Sequence, residues 1–431
     1  MTLYDFSRQI NTLKKSKQFD DVLHYFKENK QNFSTDQIAG NPYIVDGIIT
    51  SLRKTGKVNF IDTFLKQYQI QINDATHEVI LTAYSWGLYE GVKNGLYAKQ
   101  IIPQVLKYPI HLLSLHQSVY VYGVVSNLLK LGLKIAKVNV VQDYLFTNNF
   151  CDLFNPDKLS MEPNIYEWEG KRSELASDRE KWYSEKSKAL FELNRFEECY
   201  KISDKALHEI DKFHNNNNLW FVRRMALSQK EFGNLDEAIK KLQDVYNRKK
   251  EWFIQKEIAE LYFEKGDIDI ALKNCVEALN AKAPIEFKIG LIFLMGKILK
   301  SKSDIALAQQ HFILVKKIRE EKEWKVPEEI LNEIESMEDG ATRKDIQKEL
   351  SQYWRNQVPK KEMNHGVVKK ILNDNERGKN GFILSDDGQD FYFTIPAHIK
   401  FVDSVKEGVS VMFDIFELPD GKQKAKILNV M

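Results

Sequence analysis

Phe232-Gly233-Asn234-Leu235-Asp236-Glu237-Ala238 has two close copies further along the chain, Lys265-Gly266-Asp267-Ile268-Asp269-Ile270-Ala271 and Lys302-Ser303-Asp304-Ile305-Ala306-Leu307-Ala308. A weaker copy precedes them, Leu193-Asn194-Arg195-Phe196-Glu197-Glu198-Cys199. The small residues closing these turns, at 199, 238, 271 and 308, lie 39, 33 and 37 residues apart. Around each turn apolar residues recur at i, i+3, i+4 and i+7, the period of a helix with one buried face. Upstream stand Met225-Ala226, Ile258-Ala259 and Met295-Gly296; downstream stand Leu242 and Val245, Cys275 and Ala278, Phe312 and Val315. Antiparallel helices approach closely only where small side chains sit at their crossing, and such a hairpin buries its other face only against the next one. The pattern predicts stacked helical hairpins over 180–330.

The period and the turn together resemble the tetratricopeptide repeat. The sequence departs from that family at Ser203 and Cys275, where it carries an aromatic residue, and in the polar insertion Asn215–Asn218. The resemblance implies a scaffold with a concave groove lined by fixed positions of each first helix. Carried over, these are Lys181, Lys188, Trp220, Arg223, Lys230, Phe253, Lys256, Phe263, Lys297 and Lys300, with Phe293 between them and Glu192, Glu231, Glu260 and Glu264 among them. A mostly basic face with interleaved aromatics suits an acidic segment of a protein partner or a nucleic-acid backbone. The plainer alternative is a solvated row of lysines over core aromatics.

Residues 1–150 repeat the turn more faintly, at Lys17-Gln18-Phe19-Asp20-Asp21-Val22 and Lys57-Val58-Asn59-Phe60-Ile61, and read as divergent helical repeats. The stretch 151–179, with Pro156, Pro163 and many charges, reads as an irregular junction. A linker over 331–361 holds one more helix near 342–356, ended by Val358-Pro359-Lys360-Lys361 because proline disfavours helix in the residue before it. From 362 to 431 strand-like alternation takes over in Val367–Ile371, Gly381–Leu384, Phe391–Ile395, Val409–Ile415 and Gln423–Leu428. Turns at Asp386-Asp387-Gly388 and Pro419-Asp420-Gly421 separate several of these, predicting a small five-stranded antiparallel barrel. The fold class is thus multidomain and mainly α, a helical solenoid followed by a β-barrel.

Gly366-Val367-Val368-Lys369, Gly381-Phe382-Ile383, Asp390-Phe391-Tyr392-Phe393-Thr394 and the closing Glu407–Phe413 and Ala425–Val430 resemble, in that order, the cold-shock domain, an oligonucleotide-binding (OB) barrel. The resemblance implies binding of single-stranded RNA or DNA by stacking. Alternation turns Phe391, Phe393 and Ile395 inward and Tyr392 and Thr394 outward; with Gly381 and Ile383 inward, Phe382 points out. Phe382 and Tyr392 are the stacking candidates, Thr394 lies beside them, and Lys369, Lys370, Lys379 and His398 are the candidates for backbone contact. Lys370, Asn380 and Thr394 stand where the family carries Trp, an aromatic and His, which thins the stacking platform. From 360 to 431 eleven basic residues meet eleven acidic ones, so bulk attraction contributes little.

The whole chain of 431 residues is close to neutral, at +2, with ordinary hydrophobic and charged fractions, which excludes bulk disorder and a strongly basic histone-like chain. Cys151, Cys199 and Cys275 are too far apart for a CxxC pair, so a reducing, cytoplasmic setting is expected. No leader and no membrane span are expected, since the longest apolar stretch, near Ile289–Gly296, is too short to cross a bilayer. No P-loop, GxGxxG, GxSxG or HExxH pattern occurs, and His111 and His116 do not share a helix face. The expectation is a non-enzymatic adaptor without metal or cofactor. Its rivals are a scaffold whose barrel only docks to protein, and an enzyme with an unrecognised N-terminal site.

Overall fold

A computed structural model describes residues 1–136, 141–334, 340–358, 363–417 and 422–431. The expected Pro359–Lys361 helix stop and the Pro419-Asp420-Gly421 turn lie outside them. The chain divides into two units, Met1–Gln347 and Lys348–Met431.

The first unit is helical hairpins in series. They pair α1 (Leu3–Lys15) with α2 (Phe19–Asn29) and, after the short α3 (Thr35–Ala39), α4 (Pro42–Lys54) with α5 (Ile61–Gln67). Then come α6 (Glu78–Lys93) with α7 (Ile102–Leu113), and α8 (Val119–Ile135) with α9 (Val141–Cys151). The pairs α10 (Asp178–Glu192) and α11 (Phe196–Glu209), α12 (Asn217–Glu231) and α13 (Leu235–Arg248), α14 (Trp252–Lys265) and α15 (Ile268–Asn280), α16 (Ile289–Ser301) and α17 (Ile305–Glu321) follow. Short α18 (Glu328–Glu333) comes next, and α19 (Arg343–Gln357), where the last helix was expected, runs across the boundary between the two units.

The turn motif has one stereochemical cause. Lys17, Gly56, Asn194, Gly233, Gly266 and Ser303 all take positive φ, each five residues before the buried residue that closes the turn. The next N–H then donates back to a carbonyl five residues earlier, as in Gln18 to Leu13, Lys57 to Leu52, Asn234 to Gln229 and Asp304 to Leu299. This is the Schellman helix stop. It reverses the chain in two or three residues and sets the small residues face to face. Cys199, Ala238, Ala271 and Ala308 are buried, as are Ala226, Ala259 and Gly296 on the opposing helices.

Residues 151–179 are not irregular throughout. β1 (Asn164–Trp168) and β2 (Lys171–Leu175) form an antiparallel hairpin with Trp168 opposite Lys171. Glu169 and Gly170, both at positive φ, make its two-residue turn.

The second unit holds five strands, β3 (Asn364–Asn375), β4 (Gly378–Ser385), β5 (Asp390–Pro396), β6 (Ser410–Glu417) and β7 (Gln423–Val430). They close a barrel in the order β3-β4-β5-β7-β6. The expectation of an all-antiparallel barrel is corrected at one seam: β5 and β7 run parallel, because β6 crosses to the far side before β7 returns. Val368, Ile383, Phe391, Phe393, Val411 and Phe413 fill the interior.

Gly296 tests the close crossing. A Cβ there would lie 2.4 Å from a ring carbon of Phe312, which is fully buried. Alanine favours a helix interior over glycine by ~1 kcal/mol, but overfilling a tight core costs ~1–3 kcal/mol. Gly296→Ala should therefore lower the thermal midpoint of the helical circular-dichroism signal. An unchanged or higher midpoint would show that Phe312 yields without cost.

Candidate nucleic-acid interface

The barrel's outward face follows from strand register. Lys370 on β3 is opposite Phe382 on β4, and Phe382 is opposite Tyr392 on β5. Tyr392 is beside Lys424 on β7, and Lys424 is opposite Phe416 on β6. One row across all five strands thus reads Lys-Phe-Tyr-Lys-Phe. The Phe382 and Tyr392 rings stand 5.6 Å apart at 68°, so their faces point in different directions. Lys424 Nζ lies 5.0 Å from the Tyr392 ring centre, and Phe416 is 43% exposed. Two local devices build the row. A bulge between Val368 and Lys370 turns two consecutive lysines, Lys369 and Lys370, to the outside. Gly381 lets β3 come close, since a Cβ there would sit 2.0 Å from the Lys370 carbonyl oxygen.

Alternation along β4 and β5 is as expected: Phe382 and Tyr392 are half-buried, Thr394 is exposed, and Phe391, Phe393 and Ile395 are buried. The lysines divide. Lys370 is exposed with no ion pair among the described residues, whereas Lys369 is held 2.5 Å from Asp390. Lys379 is a correction: it is buried, and its Nζ donates to the Val405 carbonyl at 3.1 Å, with Asp374 at 3.2 Å. The interior parity of β4 that brings Phe382 out takes Lys379 in. His398 is exposed beyond the end of β5. Phe416 and Lys424 were missed; their signal was the outward parity of Asp414 and Phe416 against inward Phe413 and Ile415.

The groove of the repeats is not an open basic trough. Arg223 Nε donates to Glu257 at 2.9 Å, Lys230 pairs with Glu264 at 3.2 Å, Lys297 with Glu329 at 2.5 Å and Lys300 with Glu333 at 2.7 Å. The first two links join homologous positions of neighbouring hairpins, α12 to α14, and the last two run from α16 to the short α18. Lys256 is tied within its own helix to Glu260 at 2.5 Å. Trp220 and Phe253 stack at 5.9 Å with Arg223 beside both rings, Lys249 lies 4.8 Å from the Trp220 ring centre, and Phe263 is half-buried. Burial lowers the pKa of Lys181, with Lys130 close by, and Lys188 is exposed 5.8 Å from the Tyr144 ring centre. The expected basic excess is thus largely neutralised inside the chain.

A different arrangement lines the N-terminal hairpins. Tyr4, Arg8 and Lys15 on α1, Tyr43 on α4, Trp86 on α6 and Tyr120 on α8 border a cleft of about 1020 Å³. Tyr4 and Tyr120 are 71% and 78% exposed, and Arg8 and Lys15 have no ion pair among the described residues. A second cleft, about 1110 Å³, lies between α7 and α9 and gathers Lys99, Lys107, His111, Asp143 and Asp152. Its two carboxylates are held by lysines, Asp143 by Lys99 and Asp152 by Lys186 at 2.6 Å. The three cysteines are buried, and no group of metal-ligating side chains forms among the described residues. No helix of the described residues is long and apolar enough to cross a membrane.

The Arg223–Glu257 rung carries a pH signature. Burial raises the Glu257 carboxyl above its ordinary range, and Arg223 opposes that rise. An acid with a raised folded pKa binds more protons when folded, so acidification relieves its cost. Arg223→Ala should cost ~2–3 kcal/mol near pH 7, below the ~3–5 kcal/mol of a fully buried pair, because 26% of the Arg223 side chain is exposed. The loss should shrink as pH falls through the raised Glu257 pKa. Denaturation curves of both proteins at neutral and mildly acidic pH check this; a pH-independent difference contradicts it.

No family model matches the chain, and no curated protein matches it. Among solved structures, a tetratricopeptide repeat protein from Parabacteroides merdae is similar at 14% identity, over 68% of this chain and 96% of that one, with a TM-score of 0.32. BtubC from P. vanneervenii is similar at 11% identity, over 59% and 96%, with a TM-score of 0.34. The human IFIT1 dimer with m7Gppp-AAAA is similar at 14% identity, over 73% and 68%, with a TM-score of 0.30.

Proposed function

We propose that this chain is a non-enzymatic adaptor that binds single-stranded nucleic acid, with RNA the first choice, on a cold-shock-like OB barrel. The observation that carries the reading is the cross-strand row Lys370, Phe382, Tyr392, Lys424, Phe416. Aromatic rings on a solvated sheet receive unpaired bases at ~1–3 kcal/mol each, and lysines alternating with them neutralise phosphates. The closed strand order with its parallel β5–β7 seam supports the OB assignment. Neutrality of the unit supports a grip that leans on stacking.

The solenoid is the recruiting part, and the N-terminal cleft is its better surface. Arg8 and Lys15 are free to meet carboxylates, and Tyr4, Tyr43 and Tyr120 expose ring faces, which suits an acidic, aromatic-bearing segment of a protein partner. The ion-paired rungs at Lys230, Lys297 and Lys300 would first have to be broken. In the cleft between α7 and α9 both carboxylates are engaged by lysines, Asp143 by Lys99 and Asp152 by Lys186.

Fluorescence polarisation with labelled single-stranded oligonucleotides tests the barrel. Phe382→Ala with Tyr392→Ala should weaken binding more than tenfold with the circular-dichroism spectrum unchanged. Lys370→Ala and Lys424→Ala should each reduce the salt dependence of binding by about one phosphate contact. Wild-type binding no tighter than that of an unrelated neutral protein at physiological salt would overturn the proposal. For the solenoid, Arg8→Glu with Lys15→Glu should abolish binding of a labelled Asp- and Glu-rich peptide, while Lys300→Glu should leave it unchanged; the reverse result would return the partner site to the later repeats.

A further inference from the structure

A second outward row lies beside the aromatic one, two residues along β4 and β5 and therefore about 7 Å away, and three along β3, where the register shifts between Ile371 and Asn373. It contains Asn373 on β3, Asn380 on β4 and Thr394 on β5, opposite one another in register. Further round, Lys426 faces Asp414. Asn373 Nδ2 donates to Asn380 Oδ1 at 3.3 Å. That bond fixes the two amides side by side and leaves Asn380 Nδ2 as a donor and Asn373 Oδ1 as an acceptor, both without partners among the described residues. The Thr394 hydroxyl is likewise unpartnered there, on an exposed residue. Reversing both amides leaves the same pair of functions, one donor and one acceptor.

We infer that this barrel discriminates between bases, and that Asn373, Asn380 and Thr394 are the residues that do so; the inference rests on the single-strand reading above. A base stacked on Phe382 or Tyr392 has one edge over the polar row. Every base has a π face, so stacking is tolerant of sequence, whereas base edges differ in their pattern of donors and acceptors. A fixed donor beside a fixed acceptor accepts one pattern and leaves unmade hydrogen bonds with the others. An unmet polar group is worth more in discrimination than the bond is in affinity. Affinity and selectivity are therefore carried by different rows of one sheet.

The full chain is titrated by fluorescence polarisation against labelled decamers of rA, rC and rU, and their DNA counterparts. Wild type should bind the three with dissociation constants spread at least fivefold. Asn373→Ala with Asn380→Ala should narrow that spread to within twofold, while weakening the tightest complex less than Phe382→Ala does. Thr394→Val, which keeps the shape and removes the hydroxyl, should narrow it in part. All these side chains are on the surface, and an unchanged melting temperature checks that each variant folds. Equal wild-type affinities, or a spread that survives the amide variants, overturns the inference while leaving single-strand binding standing. Loss of binding altogether in wild type overturns both.

Discussion

Six residues forced into a left-handed backbone conformation set the geometry on which the solenoid depends. Lys17, Gly56, Asn194, Gly233, Gly266 and Ser303 each end a helix abruptly enough that the next helix must fold back along it. Only two of the four sequence-read turns between 180 and 318, at Gly233 and Gly266, use glycine's freedom there; asparagine and serine accept the same strain. Close return then demands small side chains at the crossing, which the chain supplies at Ala226, Ala238, Ala259, Ala271, Gly296 and Ala308. Through 178–321 the rest of the packing is one such hairpin stacked on the next.

That chain of necessity is why the repeats were legible from sequence. A turn with a fixed backbone need and a crossing with a fixed size need leave the same residue types at the same spacing. The hairpin β1–β2 was not legible in the same way, because its residues are largely exposed on both faces and carry no apolar alternation. Its signals were Glu169-Gly170 between two short runs and the strand-favouring Ile165, Tyr166 and Trp168. The parallel seam of the barrel was hidden for a different reason: alternation fixes which side a residue faces, but says nothing about which strand lies next to it.

The candidate sites show how far charge can be read along a chain. Parity of neighbours was enough to put Phe382 and Tyr392 outside. The same parity, applied to Lys379, would have put it inside, where the Val405 carbonyl holds it; a lysine's charge drew attention that its position did not support. In the groove, a list of basic positions was misleading because their counter-charges sit one repeat away, beyond any local window. Only stacking brings Glu257 to Arg223 and Glu264 to Lys230.

The short α18 takes on a particular meaning in this setting. Lys297 and Lys300 belong to the last first-position helix, α16, and have no following hairpin to complete their rungs. α18 supplies Glu329 and Glu333 in place of one. The array is therefore terminated electrically by six residues that have too little surface to be a repeat. Such a terminator satisfies the charges that a further repeat, or the first helix of another array, would otherwise neutralise. The lysines at this end of the stack are thereby paired as those of the inner repeats are, by a segment shorter than a repeat.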